Sequence, residues 1–120
     1  MAEGTAAQAT LVERVHALLE EETQVREVPM FGGRCIMVGG KIIVSVRRNG
    51  SLLVRVATED HDLYLAEPGA APAEMGRGRV MGPGWIAVDP ECVLDEGLVF
   101  WIQAALAHNH AVTRSQHAES

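Results

Sequence analysis

Three apolar runs separated by two glycine-bearing turns dominate the hydrophobic pattern between residues 28 and 56. The runs lie at residues 34–38, 41–47 and 52–56. They are rich in Val, Ile and Leu and are bounded by turn residues, which is typical of strands. Gly39-Gly40 suits a two-residue hairpin turn, and Asn49-Gly50 is one of the stronger short hairpin signals. The pattern therefore predicts an antiparallel meander that forms the sheet of the protein.

Alternation along the second and third runs predicts two different faces of this sheet. One face is wholly apolar and should meet the helices; it carries Ile42, Val44, Val46, Leu52, Val54 and Val56. The other face is mixed, because Ile43 and Leu53 stand beside Arg47 and Arg55. A half-apolar outer face indicates a partner, a second copy or a covering segment, with ordinary surface as the alternative.

A helix and a short strand are predicted before the meander. Apolar residues recur at helical spacing from Leu11 and indicate an amphipathic helix that ends near Glu22. Residues 23–31 alternate, which predicts a strand that is either an additional one or part of the first. Because Pro29 cannot donate a ladder hydrogen bond, that strand should lie at an edge or end there.

After the meander the sequence predicts a short helix, two short strands and a closing helix. Thr58 is a suitable N-cap for the short helix, which should stop before Pro68. Residues 68–72 read as a loop, and residues 73–75 and 85–88 read as strands. The closing helix should run from Glu96 to about His108, and its largely apolar circumference predicts burial or an interface.

Length and composition place these elements in one domain. The chain has 120 residues, of which 48% are hydrophobic and 22% charged, as is usual for a soluble globular protein. We expect an α+β domain over residues 10–108, with an antiparallel sheet and flanking helices. Residues 1–9 are expected to be a flexible N-terminus and residues 109–120 a flexible polar tail.

The charge is uneven along the chain. The formal net charge of −6 argues against nonspecific binding of polyanions by the whole protein. The predicted sheet is nevertheless locally basic, while the acidic residues gather in and before the predicted helices. Pairing of sheet cations with helix acids is one interpretation, and a local anion site is the other.

Two features of the sequence indicate in which cellular compartment the protein lies: its cysteines and the lack of a long apolar run. Cys35 and Cys92 have neither CxxC spacing nor a nearby histidine, which favours two free thiols in a reducing cytoplasm. A disulfide between them stays open. No apolar run approaches the length of a membrane span, so we expect a cytoplasmic protein without membrane contact.

Candidate chemistry is sparse. The segment GRGRVMGPG brings Arg77 and Arg79 together with glycines, but it matches neither a P-loop nor a GxGxxG turn. No arrangement of nucleophile and base stands out, and no HExxH or CxxC spacing occurs. The sequence therefore favours a noncatalytic protein without cofactor or metal, although it does not decide the question of an enzyme.

Several short motifs in a fixed order resemble one known family. They are Met30-Phe31-Gly32-Gly33, Gly40-Lys41 before an apolar strand, Leu52-Leu53-Val54-Arg55-Val56, Gly78-Arg79-Val80-Met81 leading to Gly84-Trp85, and a tryptophan-bearing last helix. With these motifs the chain resembles the TfoX/Sxy N-terminal domain family, small bacterial proteins related to regulators of natural competence. The resemblance covers roughly residues 10–108 and implies the order α-β-β-β-α-β-β-α, similar to secretion-chaperone-like folds.

Two functional hypotheses follow. The first is a noncatalytic regulatory or interaction module, linked to transcription through the resemblance, that works on a protein partner or as a homodimer. The second is a protein or enzyme that binds a small anionic ligand such as a nucleotide, or a nucleic acid. The residues proposed to bind an anion or a partner are Phe31, Gly32, Gly33, Arg34, Arg47, Arg55, Arg77 and Arg79. Direct nucleic-acid contact has weaker support, because exposed aromatic residues are few.

Overall fold

In the part of the chain that the structure describes, six antiparallel strands form one sheet, and helices come before, within and after it. The computed structural model describes residues 6–30, 33–74, 82, 84–94 and 96–119, and the side chains of these except residues 30 and 113–119. In chain order the elements are α1 (Ala6–Leu18), β1 (Val25–Met30), β2 (Gly33–Val38), β3 (Lys41–Val46), β4 (Leu52–Arg55), a 3₁₀ turn (Thr58–Asp60) that continues into α2 (His61–Leu65), β5 (Ala70–Pro72), β6 (Trp85–Val88), a second 3₁₀ turn (Pro90–Cys92) and α3 (Glu96–Glu119).

The strands lie in the order β1-β2-β3-β4-β6-β5, and every neighbouring pair is antiparallel. The predicted α+β class is confirmed. The structure has one strand more before α2 than the family order implied, because residues 25–30 pair with β2 as a separate strand. β1 is an edge strand, which agrees with the position of Pro29.

The hairpin between β2 and β3 turns at the two glycines that the sequence indicated. Gly39 and Gly40 have φ angles of 61° and 82°. A two-residue turn with both central φ angles positive matches the right-handed twist of the flanking strands, and glycine adopts it without steric cost.

A β-bulge in β3 changes the face to which one predicted surface residue belongs. Ile36 pairs with Val44, but the next residue, Met37, pairs with Ile42, so Ile43 is the extra residue. Ile43 is only 1% exposed and belongs to the core. The prediction that Ile43 lies on the mixed outer face was wrong, because strict alternation does not hold across a bulge.

The core fills the space between one face of the sheet and the helices. Its largest fully buried side chains are Ile36, Ile43, Leu52, Ile86 and Ile102. α1 adds Leu11 and Val15, and the turn after it adds Leu19. Each large apolar side chain buried in this way contributes about 1.5–3 kcal/mol. Two buried amides tie the helices to the sheet: Gln8 Nε2 donates to Val46 O at 2.9 Å, and Asn109 Nδ2 donates to Val38 O at 3.2 Å.

The other face of the sheet is less exposed than its sequence suggested. Cys35, Ser45, Leu53 and Ala87 form a continuous row of cross-strand neighbours on it, and none of them belongs to the core cluster. Cys35 and Ser45 are buried and Leu53 is half-buried. The middle of this face is therefore largely shielded from solvent.

Helix ends and the fifth strand differ from the predictions. α1 ends at Leu18 rather than near Glu22, and α3 continues to Glu119, beyond the predicted end near His108. The last turns of α3 are polar, but they contain no proline or glycine that would stop a helix. The strand predicted at residues 73–75 lies at Ala70–Pro72 instead, since pairing with β6 defines it.

None of the helices in the described part of the chain has the length and hydropathy that crossing a membrane requires.

Candidate functional site

A groove runs between α3 and the segment that joins β4 to α2. Its volume is about 460 Å³, and it is open to solvent rather than enclosed. Two carboxylates, a histidine, a tyrosine and several small apolar side chains line it: Ala57, Glu59, Asp60, Tyr64, Ala104, Ala107, His108, Ala111 and Val112. This volume falls within the usual range for ligand sites, so the lining decides what the groove can bind.

One wall of the groove is a row of small side chains on α3. Ala104, Ala107 and Ala111 are spaced by three and four residues, which places them on one side of the helix. Alanine favours the helix and projects little from it. A second backbone can therefore approach α3 closely along this row.

The opposite wall carries negative charge. Glu59 and Asp60 lie in the 3₁₀ turn that leads into α2, and both face His108 closely enough for their charges to act on it. Partial burial and the charge of Arg55 lower the pKa of His108 below its usual 6.5, although the two carboxylates oppose this shift. At neutral pH His108 is therefore uncharged, and the groove keeps its acidic character.

Three aromatic rings in tilted and edge-to-face contact join α2 to α3, and one of them, Tyr64, lines the groove. Tyr64 lies 5.6 Å from Trp101 and 6.1 Å from Phe100, measured between ring centroids, and Phe100 meets Trp101 edge to face. Trp101 is buried, but Phe100 is 42% exposed, and the neighbour of Tyr64 in the chain, Leu63, is 66% exposed. Apolar surface therefore remains uncovered on both helices that form the groove.

Gly84 fixes the start of α2 to the end of β4. Its N–H donates to His61 Nδ1 at 3.0 Å, while its carbonyl accepts from the N–H of Val56 at 2.8 Å. Because Nδ1 accepts this bond, the His61 ring is neutral in this arrangement. The contact positions the 3₁₀ turn that presents the two groove carboxylates.

Of the anion-site residues predicted from the sequence, Arg34 lies in a closed ionic cluster. Arg34 Nε donates to Glu27 Oε2 at 2.6 Å, and His16 Nε2 lies 3.0 Å from the other carboxylate oxygen. Burial alone would raise the pKa of Glu27, but hydrogen bonds and charge from Arg34 and His16 outweigh it and lower the pKa below its usual 4.5. The cation of Arg34 is thus engaged within the fold.

The other predicted residues lie apart from this cluster. Arg47 Nη2 donates to Glu74 O at 3.0 Å, and the guanidinium of Arg55 lies 6.0 Å from the ring centroid of Trp85. Gly33 lies beside the backbone of Val46, so it shares the end of β3 with Arg47. Phe31, Gly32, Arg77 and Arg79 lie outside the described residues. Gly33 thus lies near Arg47 at one end of the β3–β4 pair. Arg55 lies toward the opposite end of this pair, so it does not join them.

The groove residues were not found by sequence reasoning. In the sequence Glu59 and Asp60 directly follow Thr58, the N-cap candidate of the short helix, and His108 stands at the predicted end of the closing helix. The alanine row at positions 104, 107 and 111 was the available signal, but it has the same spacing as any buried helix face. Only the packing of α2 on α3 brings these residues together.

Metal and thiol chemistry add little to the site. Within the described ranges, no group of three or more His, Cys, Asp or Glu side chains is placed to hold a metal ion. Both cysteines are free, with Cys35 buried and Cys92 half-buried.

A comparison with known protein families shows to which family the chain belongs. The family model described as the TfoX N-terminal domain matches residues 17–109. The chain belongs to this family. The matched range begins near the end of α1 and stops within α3, so it includes the whole sheet and most of the groove of this TfoX N-terminal domain. No curated protein matches the chain.

Proposed function

We propose that this TfoX N-terminal domain is a noncatalytic regulatory module that binds a protein partner in the groove between α2 and α3. The observation that carries the proposal is the open groove, formed with two helices that each carry an exposed apolar side chain, Leu63 on α2 and Phe100 on α3. Exposed apolar side chains next to a concave surface are typical of protein contacts.

The lining of the groove favours a protein contact over catalysis. Its carboxylates lie opposite a wall of alanines that supplies no nucleophile, and the other polar side chains of the lining are Tyr64 and His108. Membership of the family and the resemblance to competence regulators support a regulatory role linked to transcription. A second copy of the chain is the other candidate for the partner.

Site-specific photo-crosslinking in cells that produce the protein tests this proposal. A photoreactive residue at Ala107, which lines the groove and is exposed, should yield a discrete adduct with one protein, identified by mass spectrometry. The same residue at Ala17, exposed on α1 and not among the residues that line this groove, is the matched control.

Filling the groove is the second arm of the test. Ala107→Trp should suppress an adduct formed from a photoreactive residue at Ala111, while the fold stays intact, because exposed positions tolerate substitution within about 0.5 kcal/mol. Equal adducts from Ala107 and Ala17, or an adduct that survives Ala107→Trp, would reject the groove as the contact surface.

The small-ligand alternative has one observation in its favour. Arg47 contacts the carbonyl of Glu74, the residue directly before the segment that carries Arg77 and Arg79, and Gly33 lies beside the same end of β3. We propose this end of the sheet as the alternative site for an anion. Thermal-shift measurements with nucleotides and inorganic phosphate test it; no shift with any of them, together with an Arg79→Ala variant that behaves like the wild type, would end this alternative.

A further inference from the structure

The charge and the shape of the groove restrict what can occupy it. We infer that the occupant is a cationic helical segment of the partner protein, with Lys or Arg side chains at Glu59 and Asp60 and small side chains against the alanine row of α3. This inference rests on the proposed function and adds the chemistry of the partner to it.

The helical shape follows from the alanine wall. Packed helix axes lie about 8–10 Å apart, and the shorter distances require small side chains at the contact. Ala104, Ala107 and Ala111 offer such a row over two turns of α3, open on the side of the groove. A partner helix with small or short apolar residues can lie along this row and cover exposed apolar surface.

The positive charge follows from the opposite wall. Glu59 and Asp60 line the groove, and Asp62 and Glu67 follow them in and just after α2. His108 does not offset them at neutral pH, because its pKa lies below the usual value. Arg55, whose charge also reaches His108, offsets part of the negative charge of the two carboxylates but not all of it, because it carries a single charge. A polyanion such as nucleic acid would be repelled here, whereas Lys or Arg side chains would be attracted.

A second copy of this chain fits the groove less well. Each copy carries a formal charge of −6, so two copies repel each other at low salt. Arg34, one of the cations that a second copy could offer, is already paired with Glu27 of its own chain. A separate, basic partner therefore matches the groove better.

Two synthetic peptides test the inference on the full chain by NMR titration. Both are amphipathic helices with alanine on one side; one carries lysine on the other side, and its partner carries glutamate at the same positions. The lysine peptide should shift the amide signals of Ala104, Ala107 and Ala111, and it should bind about three- to ten-fold more tightly than the glutamate peptide, as expected for one or two exposed ion pairs.

A matched pair of charge reversals separates the groove from the overall charge. Glu59→Lys and Asp62→Lys change the net charge equally and lie in neighbouring turns, but only Glu59 lines the groove. Glu59→Lys should weaken binding of the lysine peptide by about five-fold, whereas Asp62→Lys should change it less than two-fold.

The outcomes also separate this inference from the proposed function. Equal binding of both peptides, an equal effect of the two reversals, or no shift of the groove amides by the lysine peptide would each overturn the cationic segment. The crosslink from Ala107 would stand in all three cases, because it needs no assumption about the charge of the partner. Loss of that crosslink would remove the proposed function itself.

Discussion

Two clusters in this protein contain the same types of side chain and differ in how they are arranged. In the first, His16 on α1 and Arg34 on β2 each lie within hydrogen-bond distance of one carboxylate oxygen of Glu27 on β1. In the second, a histidine, two carboxylates and an arginine surround or border the groove: His108, Glu59, Asp60 and Arg55. The first cluster is closed on itself, whereas the second faces a space of about 460 Å³.

The neighbours of a charged residue therefore determine whether it can bind a partner: a residue that is paired within the fold cannot, whereas one that lines open space can. The sequence predicts a binding surface at the basic residues of the sheet, but one of these, Arg34, forms an ion pair with Glu27 inside the fold. The acidic start of α2 seemed ordinary helix chemistry, but its carboxylates line the groove. Three predictions examine this contrast, beginning with the largest expected effect.

Removing the buried aromatic ring at the contact of α2 with α3 should cause the largest loss of folding stability. Trp101 is 2% exposed and contacts both Tyr64 and Phe100, so Trp101→Ala should lower the free energy of unfolding by about 3–5 kcal/mol. Phe100→Ala, at a position 42% exposed, is the control and should cost less than half as much. Urea denaturation measures both; equal losses would mean that the groove does not depend on the buried ring.

Gly33 supports the closed cluster, because it begins the strand that carries Arg34. A Cβ atom at Gly33 would lie 2.9 Å from Val46 O and 3.0 Å from Ser45 Oγ, closer than such contacts normally come. Gly33→Ala should therefore cost about 1–3 kcal/mol through displacement of the strand.

Gly40→Ala is the matched control for this steric effect. Gly40 has a φ of +82° but no atom within 4 Å of an added Cβ, so its cost comes from backbone strain alone, about 1 kcal/mol. Thermal unfolding measures both variants, and a larger shift for Gly40→Ala would contradict the close approach at Gly33.

The smallest change in the free energy of unfolding is expected when one carboxylate from each cluster is replaced by an amide. Glu27→Gln should lower the free energy of unfolding at pH 7 by about 0.5–1 kcal/mol, since both partners of Glu27 are partly exposed and solvent weakens the pair. Glu59→Gln, at an exposed position, should change it by less than about 0.5 kcal/mol.

The pH dependence of Glu27→Gln follows from the direction of the pKa shift. The pKa of Glu27 is lower in the folded protein than its usual 4.5, so its contribution is complete above that pH and is lost as the pH falls through the folded pKa. Wild type and Glu27→Gln should therefore differ at pH 7 and converge as the pH falls below the folded pKa of Glu27, measured by urea denaturation over a pH series. A constant difference between them would show that Glu27 contributes through packing and not through its charge.

Local patterns were sufficient to predict much of the sheet. The turns at Gly39-Gly40 and Asn49-Gly50, the alternation in β4 and the edge position of Pro29 each depend on a few neighbouring residues, and the structure agrees with all of them. Ile43 was misplaced because a bulge needs the partner strand to define it. The domain bounds predicted at residues 10–108 stay a prediction.

The candidate site could not be predicted in the same way. Glu59 and His108 are almost fifty positions apart in the sequence, and neither belongs to a motif with a fixed spacing. The aromatic contacts of Tyr64 with Phe100 and Trp101 join α2 to α3, and Tyr64 too is distant from the other two in the sequence.

The sequence by itself determined the α+β class, the hairpins, the apolar face of the sheet and the family. These depend on local periodicity, turn chemistry and short ordered motifs. Tertiary structure alone decided which charges are paired within the fold and which line open space. The physical reason is that a side chain acquires its electrostatic surroundings from residues distant in the chain, and packing brings those residues to it.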